Sequence, residues 1–288
     1  GTRPEAIKMA PLVKKLETCE KIQSIVCVTA QHREMLDQVL ELFNIIPDYD
    51  LNIMQDRQTI TGVTTKVLNG LEKVIVKEKP DIVLVHGDTT TTFAAALAAF
   101  YQKVKVGHVE AGLRQEPKDM PEEINRMLTD RISQYLFVPS NLGVENLKGE
   151  GITEGVFFTG DVMYDIFLKM KPSFDYTLME KLHLKENQFI IMTLHRDFNV
   201  DIPEKLEKIL KEVNRISKEI KVVMPIHPRT QKRINEFGLS HLITDITVIE
   251  PIDYLQLMGL TQNCYKVITD SGGYQKEAYF SGKQAVVI

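Results

Sequence analysis

Three segments in the first half of the chain carry acidic residues at the ends of apolar runs or at the start of a helix. Asp88 follows the run 82–85, Glu110 follows the run 104–109, and Glu122 opens a predicted helix beside a second glutamate. A carboxylate buried at such a place costs on the order of several kcal/mol unless it is neutralised or hydrogen-bonded. Burial also raises a carboxyl pKa toward that of a useful general acid or base. The plainer interpretation is helix capping for Asp88 and a favourable helix dipole for one of the glutamates.

The second half of the chain offers an anion-binding loop instead. Ser271, Gly272 and Gly273 stand between a predicted strand and a predicted helix. Glycines allow backbone N–H groups to approach an anion at a helix N-terminus, and the serine adds a hydroxyl. Glu277 falls one turn into that helix, where it can accept hydrogen bonds from a ribose diol. His195 ends another predicted strand and can bond a pyrophosphate, although a single histidine there is more often a satisfied surface residue.

The opening segment, residues 1–8, is a third candidate for phosphate binding. Pro4 and Glu5 are typical of a helix start, and Arg3 adds a bidentate donor close to the free N–H groups of the first turn. Alone, this segment indicates only a capped helix with a solvated arginine. Carboxylates in the first half and an anion-binding loop in the second together suit a nucleotide-sugar, with the nucleotide held by the second half.

Short apolar strands alternate with amphipathic helices along the chain, and this alternation must position those residues. Predicted strands cover 22–29, 81–86, 104–109, 135–138, 156–159, 189–194, 220–225, 246–249, 265–269 and 284–288. Predicted helices cover 33–43, 62–77, 91–101, 122–133, 203–217, 253–261 and 273–281, with a further helix-like segment from 161 to 171. Continuous apolar strands separated by helices indicate parallel sheets that are covered on both faces.

The alternation of predicted strands and helices is interrupted between residues 161 and 187, and a second series begins at 189. We therefore predict an α/β protein of two doubly wound, Rossmann-like domains, 1–165 and 166–288. The first would carry the catalytic carboxylates and the second would bind the nucleotide. Ligands of such sheets bind beyond the carboxyl ends of the strands, so we expect the site in a cleft that the two domains face.

Composition narrows the class of protein. The formal net charge is −4, so no basic surplus indicates nucleic-acid binding. No apolar run approaches the ~20 residues of a membrane span, and three distant cysteines favour reduced thiols in a cytoplasmic protein. The chain opens without an initiator methionine and closes on an apolar run, so we expect it to be a fragment of a longer chain, cut at both ends.

These segments together resemble the non-hydrolysing UDP-N-acetylglucosamine 2-epimerases, and the match runs in order along essentially the whole chain. The matching segments are residues 1–8, 31–36, 57–59, 86–90, 108–114, 121–126, 160–161, 195–196 and 270–277. The resemblance implies the GT-B architecture, two Rossmann-like domains facing a deep cleft, and a homodimer. It implies an isomerase that converts UDP-N-acetylglucosamine (UDP-GlcNAc) reversibly to UDP-N-acetylmannosamine (UDP-ManNAc), supplying precursors of cell-surface polysaccharide.

The resemblance also implies a mechanism and the residues that carry it. UDP leaves C1 as the C2 proton is removed, giving 2-acetamidoglucal, and UDP is then added back after a proton reaches the other face of C2. The implied catalytic residues are Asp88, Glu110, Glu122 and His195. The implied UDP-binding residues are Arg3, Lys8, His195, Ser271, Gly272, Gly273 and Glu277. No cofactor is implied, which agrees with the lack of a G-x-G-x-x-G signature, and no metal cluster is apparent in the sequence.

Bacterial members of the family often need UDP-GlcNAc at a second, allosteric site beside the first. Five residues fall in segments that match those contributing to it, namely Gln31, His32, Arg57, Gln58 and His227. These residues are therefore candidates for a regulatory site.

The chain departs from the family in one motif. The family commonly has His-Arg-x-Glu-Asn after the strand that opens the second domain, whereas Phe198 replaces the acid here. Residues 199–201 and 275–280 look like those of members that act on diacetamido-uronic acid or deoxy-sugar derivatives. A 2-epimerase of such a modified UDP-sugar is therefore the main alternative.

Three other interpretations remain open. A GT-B glycosyltransferase would share the fold and the nucleotide loop but would need an acceptor and not three carboxylates. A hydrolysing 2-epimerase would release free N-acetylmannosamine, yet the Gly-Thr-Arg-Pro-Glu opening favours the non-hydrolysing branch. A catalytically silent sensor would be expected to lose at least one carboxylate, and Asp88, Glu110 and Glu122 are all present.

Overall fold

The structure, a computed structural model, describes residues 3–30, 36–37, 40–41, 43–53, 58–116 and 120–288, without the side chains of Arg3 and Pro4. The chain divides into two compact units, Gly1–Ile166 (unit 1) and Phe167–Ile288 (unit 2). Each unit has its own parallel sheet, which confirms the predicted α/β class.

Unit 1 contains a four-stranded parallel sheet of order β3-β4-β5-β6, and β1 pairs in parallel with β2 in a separate two-stranded sheet. The strands of unit 1 are β1 (Cys27–Val28), β2 (Tyr49–Asp50), β3 (Ile82–His86), β4 (Lys105–Val109), β5 (Tyr135–Val138) and β6 (Val156–Phe158). The helices are α1 (Arg3–Glu17), α2 (Ile60–Glu78), α3 (Thr90–Tyr101), α4 (Pro121–Ile132), α5 (Asn141–Gly149) and α6 (Val162–Met170).

The core of unit 1 forms because α2 presents a single apolar face. Val63, Val67, Leu71 and Ile75 are buried at four-residue spacing, which keeps them on one side of the helix. Burying each such side chain contributes roughly 1.5–3 kcal/mol. The helix begins at the N-cap Thr59, whose side chain accepts a hydrogen bond from a first-turn N–H. The small residues of α3 pack against this face and carry the chain from β3 to β4.

Unit 2 is a five-stranded parallel sheet of order β11-β10-β7-β8-β9. Its strands are β7 (Phe189–Thr193), β8 (Lys221–Pro225), β9 (Thr247–Ile249), β10 (Lys266–Thr269) and β11 (Gln284–Val287). Its helices are α7 (Thr177–Lys181), α8 (Asp197–Val200), α9 (Pro203–Ser217), α10 (Pro228–Glu236), α11 (Tyr254–Asn263) and α12 (Gly272–Phe280). Short 3-10 turns lie at Lys171–Ser173 and Ser240–Leu242.

The central strand β7 is apolar at every buried position because both faces of the sheet are covered. Ile190 and Met192 belong to one apolar cluster, whereas Phe189 and Ile191 belong to another. Side chains alternate between the two faces of a strand, so the two clusters lie on opposite sides of the sheet. This is the arrangement that a continuous apolar run predicts.

The strand order of unit 2 contains a topological switch point. The chain runs outward from β7 through β8 to β9, then crosses to the other side of β7 and continues through β10 to β11. Thr193 and Thr269 are register partners at the carboxyl ends of β7 and β10, and their hydroxyl oxygens are 2.6 Å apart. Ligands of open parallel sheets bind beside such a reversal.

Most of the predicted strands and helices are confirmed, with the following departures. The predicted strand 22–29 is limited to β1, and β2, α5, α7, α8 and α10 were not predicted. The predicted helix 33–43 falls largely outside the described residues. None of the helices in the described ranges combines the length and apolar character that crossing a bilayer requires.

Candidate functional site

Glu110 occupies a strained and buried position at the carboxyl end of β4. Its φ is 71°, a left-handed value that costs a residue with a side chain on the order of 1–3 kcal/mol. The backbone N–H groups of Glu110 and Ala111 both donate to Phe137 O at 3.1 Å, which holds the turn. The Glu110 carboxylate oxygen Oε2 lies 2.8 Å from Lys8 Nζ and 3.1 Å from His86 Nε2. A lysine ammonium at this distance stabilises the ionised carboxylate.

Asp88 lies in the loop after the neighbouring strand β3. The loop turns at Gly87, whose φ is 72°. The side chain of Asp88 forms an ion pair with Arg126, and its backbone oxygen accepts from Asn125 Nδ2 at 2.9 Å. Because β3 and β4 pair in parallel, Asp88 and Glu110 leave the same edge of the sheet. The roles of Asp88 and Glu110 in catalysis stay predictions.

The two glutamates at the start of α4 have different surroundings. Glu123 is buried, accepts from Gln115 N at 3.0 Å and pairs with Arg126 Nη1 at 2.8 Å. Glu122 is exposed, and within the described part of the chain its carboxylate forms no ion pair. Glu123 thus serves to orient the arginine that holds Asp88. A catalytic role for Glu122 stays a prediction.

Helix α1 brings the opening segment to the same loop. Glu5 is buried and accepts from the hydroxyls of Thr89, at 2.5 Å, and Thr92, at 2.8 Å. Lys8 then reaches Glu110 one turn later on α1. The predicted phosphate contact of Arg3 involves a side chain outside the described residues.

A buried polar cluster beneath these loops was not predicted. His108 and Asp130 are fully buried and 2.6 Å apart, and Arg114 Nη1 lies 2.8 Å from the other oxygen of Asp130. Burial alone would lower the pKa of Arg114, but hydrogen bonds and charges from Glu150 and Asp130 raise it. Asp130 lies in the last turn of α4, and no sequence pattern separates it from an ordinary polar helix residue.

In unit 2, the Asp270 carboxylate fixes the backbone at the switch point through hydrogen bonds. Its buried carboxylate accepts from the backbone N–H groups of His195, at 3.0 Å, and Arg196, at 2.8 Å. His195 Nδ1 also lies 3.0 Å from Asp270 Oδ1. Burial alone would raise the pKa of Asp270, but these hydrogen bonds outweigh it and lower the pKa to about 2. The carboxylate fixes the His195 ring and leaves Nε2 for another partner.

The predicted anion loop forms the start of α12. Ser271 is the N-cap, and its hydroxyl accepts from Tyr274 N at 3.4 Å. Gly272 and Gly273 follow as exposed first-turn residues, and a Cβ added at Gly272 would meet no atom within 4 Å. Free first-turn N–H groups and open space beside them are what an anion requires. Glu277 lies in the second turn and is half-buried.

Two of the five candidate regulatory residues lie in the described part of the chain. His227 is the N-cap of α10, and its ring centroid is 5.6 Å from that of His195. Partial burial, followed by the nearby charge of His195, lowers the pKa of His227. Gln58 is half-buried just before α2. The other three, Gln31, His32 and Arg57, lie outside the described residues.

The cysteines and metal-ligating groups carry no site among the described residues. Cys19, Cys27 and Cys264 form no disulfide among the described residues. Burial raises the pKa of Cys27 to about 11 and that of Cys264 to about 12, so both thiols stay protonated at neutral pH. Within the described ranges no group of three or more His, Cys, Asp or Glu residues is arranged to hold a metal ion.

Comparison with known proteins gives consistent results for the whole chain. Residues 14–288 match the family model described as UDP-N-acetylglucosamine 2-epimerase. The UDP-N-acetylglucosamine 2-epimerase of Salmonella typhimurium is 45% identical over 100% of this chain and 80% of its own length. That of Escherichia coli is 42% identical with the same coverage.

Solved structures of UDP-GlcNAc 2-epimerases also match this chain. The UDP-GlcNAc 2-epimerase of Neisseria meningitidis, bound to UDP-GlcNAc, has a TM-score of 0.84 and 40% identity, covering 100% of this chain and 80% of that one. The Methanocaldococcus jannaschii UDP-GlcNAc 2-epimerase, in complex with UDP-GlcNAc and UDP, has a TM-score of 0.82 and 38% identity, covering 100% and 82%.

Proposed function

Because the chain belongs to the UDP-N-acetylglucosamine 2-epimerase family, we propose that it interconverts UDP-GlcNAc and UDP-ManNAc by eliminating UDP and adding it back. The observation that carries this proposal is the strained, buried Glu110 carboxylate at the sheet edge, flanked by Lys8 and His86. Strain of this kind persists where function requires it.

The chemistry balances without a redox step. A base removes the C2 proton, the C2–H electrons form a C1–C2 double bond, and the C1–O bond breaks as UDP leaves with its electron pair. An acid then delivers a proton to the opposite face of C2, and the UDP oxygen bonds to C1 again. The net change is inversion at C2, so the site needs proton-transfer groups on both faces of the sugar.

Unit 1 supplies groups suited to those transfers. Glu110 and Asp88 stand at adjacent strand ends, each with a cation beside it, namely Lys8 and Arg126. The cations favour ionised carboxylates, which act as bases and, once protonated, as acids. Glu122, exposed at the start of α4, is the third proposed participant.

Unit 2 supplies groups suited to UDP. The switch point between β7 and β10 holds the N-terminus of α12, where we place the pyrophosphate. His195 is turned by Asp270 so that Nε2 can donate to a phosphate oxygen when the ring is protonated. Ser271 adds a hydroxyl, and Glu277 accepts from the ribose diol. Changing Ser271 or Glu277 to Ala is expected to weaken UDP binding by about 1–3 kcal/mol each.

Incubation with UDP-GlcNAc in heavy water, followed by proton NMR, tests the proposal. We expect UDP-ManNAc with deuterium at C2, together with a slow leak of UDP and 2-acetamidoglucal. Free N-acetylmannosamine with UDP would indicate the hydrolysing reaction instead. Epimerisation that keeps the C2 hydrogen would indicate oxidation and reduction, and no exchange at C2 would favour a glycosyltransferase.

A modified UDP-sugar is the second candidate substrate, and Phe198 is the observation that favours it. The side chain is 52% exposed, and Lys205 Nζ lies 6.0 Å from its ring centroid. An apolar ring in place of a carboxylate favours a substrate with fewer hydroxyl donors or with an added negative charge. NMR with a panel of UDP-sugars decides between the two, and Phe198→Glu is expected to shift the preference toward UDP-GlcNAc.

Regulation and assembly are part of the same proposal. We propose that His227 contributes to a second UDP-GlcNAc site, and that the enzyme is a homodimer that supplies polysaccharide precursors. If the second site is needed, UDP-ManNAc alone is a poor substrate, and a trace of UDP-GlcNAc restores the rate. Light scattering of the purified protein tests the dimer.

A further inference from the structure

The backbone on both sides of the Asp88 Cα is held by side chains of other elements. His108 Nε2, from β4, lies 2.8 Å from Gly87 O. Asn125 Nδ2, from α4, donates to Asp88 O at 2.9 Å. The two consecutive carbonyl oxygens therefore each have a dedicated side-chain donor.

His108 is itself fixed by Asp130. A carbonyl oxygen can only accept, so His108 Nε2 carries a hydrogen, and the opposite nitrogen Nδ1 lies 2.6 Å from Asp130 Oδ1. Both side chains are fully buried. The second oxygen of Asp130 accepts from Gly112 N at 3.2 Å and from Arg114 Nη1 at 2.8 Å. One buried aspartate thus connects the peptide before Asp88 to the loop that follows Glu110.

Both loops contain residues in the left-handed region. The φ values are 72° at Gly87, 71° at Glu110 and 77° at Gly112. The two glycines adopt this conformation without cost, so the strain lies at Glu110, which follows His108 by two residues. His108 and Asp130 stand between the two turns and contact the backbone of both.

We propose that His108, oriented by Asp130, is a positioning residue for the epimerase reaction. It holds the Gly87–Asp88 peptide so that the Asp88 carboxylate keeps a constant position relative to Glu110. This inference rests on the proposed function, in which those two carboxylates transfer protons at C2. The alternative is a core histidine that only satisfies a buried aspartate, and the two roles depend on different hydrogen bonds of the same ring.

Two substitutions separate those hydrogen bonds. His108→Gln places its amide nitrogen where Nε2 was, so it can still donate to Gly87 O but no longer reaches Asp130. His108→Asn places its amide nitrogen where Nδ1 was, so it can still donate to Asp130 but no longer reaches Gly87 O. Each variant loses one buried hydrogen bond, and His108→Gln is expected to be the less stable of the two because the bond that it loses is to a carboxylate. Glu150→Gln is the control, because it weakens the Arg114 ion pair without contacting the peptide.

The experiment measures C2 deuterium exchange, kcat and KM with UDP-GlcNAc, UDP affinity by calorimetry and melting temperature. The wild-type protein must first exchange the C2 hydrogen, and a failure there refutes the proposed function and not this inference. We expect kcat of His108→Asn to fall about 100-fold, as a misplaced catalytic group does, with UDP affinity within about twofold of wild type. We expect His108→Gln to keep kcat within about threefold and Glu150→Gln to match wild type.

Equal losses of kcat in the Asn and Gln variants, or a larger loss in His108→Gln, would show that the hydrogen bond to Gly87 O is not what matters and would overturn the proposal. An unchanged kcat in His108→Asn would overturn it as well. If His108→Asn does not fold, Asn125→Ala decides, since it removes the donor to the next carbonyl oxygen, Asp88 O, from a half-buried helix position. A tenfold or greater loss of kcat with intact UDP binding then supports the proposal, and an unchanged kcat refutes it.

Discussion

Replacing Asp270 with Asn tests whether one buried carboxylate both stabilises unit 2 and orients His195. The substitution keeps the shape of the side chain but removes its charge and one acceptor oxygen. Asp270 accepts from the backbone N–H groups of His195 and Arg196 and from His195 Nδ1. An amide oxygen can serve only one side of this cluster, and the amide nitrogen meets donors on the other.

The expected loss of unfolding free energy follows from the pKa of Asp270. The folded protein lowers that pKa from its ordinary value of 3.8 to about 2, and each unit corresponds to about 1.4 kcal/mol. Ionised Asp270 therefore contributes about 2 kcal/mol to the free energy of unfolding. A lowered pKa means that this stability is fully present above about pH 4 and is lost as the pH falls toward 2. For a unit of this size we expect the melting temperature to fall by about 8 °C.

Calorimetry of the unliganded protein from pH 8 to below pH 4 measures the change in melting temperature, and titration with UDP measures affinity. A hydrogen bond to a charged phosphate contributes about 1.5–3 kcal/mol, so a freely turning His195 is expected to weaken UDP binding about 10- to 100-fold. Asp201→Asn is the control. Arg229 and Arg233 lower the pKa of Asp201 to about 2 by hydrogen bonds, but these partners are exposed to solvent. Exposed ion pairs contribute little, so we expect a much smaller change.

The reasoning is refuted if Asp270→Asn has the melting temperature of the wild-type protein. It is also refuted if Asp201→Asn loses as much stability as Asp270→Asn. The pH dependence gives a second criterion. The difference between wild type and Asp270→Asn is expected to be constant from pH 8 to 5 and to narrow below pH 4. A difference that widens under acid would mean that the carboxylate is not ionised in the folded protein.

Three further substitutions give expected outcomes from single contacts. Glu110→Gln is expected to slow C2 exchange in heavy water at least about 100-fold, with UDP affinity by calorimetry unchanged, because the carboxylate acts only on the sugar. Gly272→Ala is expected to raise the melting temperature slightly, since the new Cβ meets no atom within 4 Å, yet to weaken UDP binding. Gly259→Ala is expected to destabilise the protein by about 3 kcal/mol, because its Cβ would lie 1.9 Å from Asp175 O. Gly149→Ala, with open space around its Cβ, is the control and should melt at or above the wild-type temperature.

The strands of unit 2 were predictable because burial on both faces leaves an unmistakable apolar run, as in β7. Helix α10 was not predictable from the sequence, although it forms a regular α-helix. It buries only Thr230 and Ile234, so its sequence carries no apolar stripe of helical period. Its position is set by His227 at the N-cap and by the ion pairs of Arg229 and Arg233 with Asp201. These contacts are tertiary and leave no local pattern.

In the candidate site, too, some residues could be predicted from the sequence and others could not. Asp88, Glu110 and Ser271 were predictable because each follows an apolar strand, and parallel strands end at one edge. The different surroundings of Glu122 and Glu123 were not, because adjacent residues on a helix differ by about 100° in direction and the sequence does not fix the rotation of α4. The pairing of His108 with Asp130 depends on that same rotation.

The strain at Glu110 and the burial of its carboxylate argue together for a function. A glycine would adopt the φ of 71° without cost, and an apolar residue would avoid burying a charge. The chain instead keeps a glutamate and surrounds it with Lys8 and His86, each brought by a different element. Local preference and tertiary position conflict at this residue, and such conflicts are expected at functional sites. The neighbouring Gly112 resolves the same backbone demand without conflict, since it has no Cβ to meet Gly143 O, 2.5 Å from where that atom would lie. Packing alone accounts for the glycine at position 112, whereas the proposed carboxylate chemistry accounts for the glutamate at position 110.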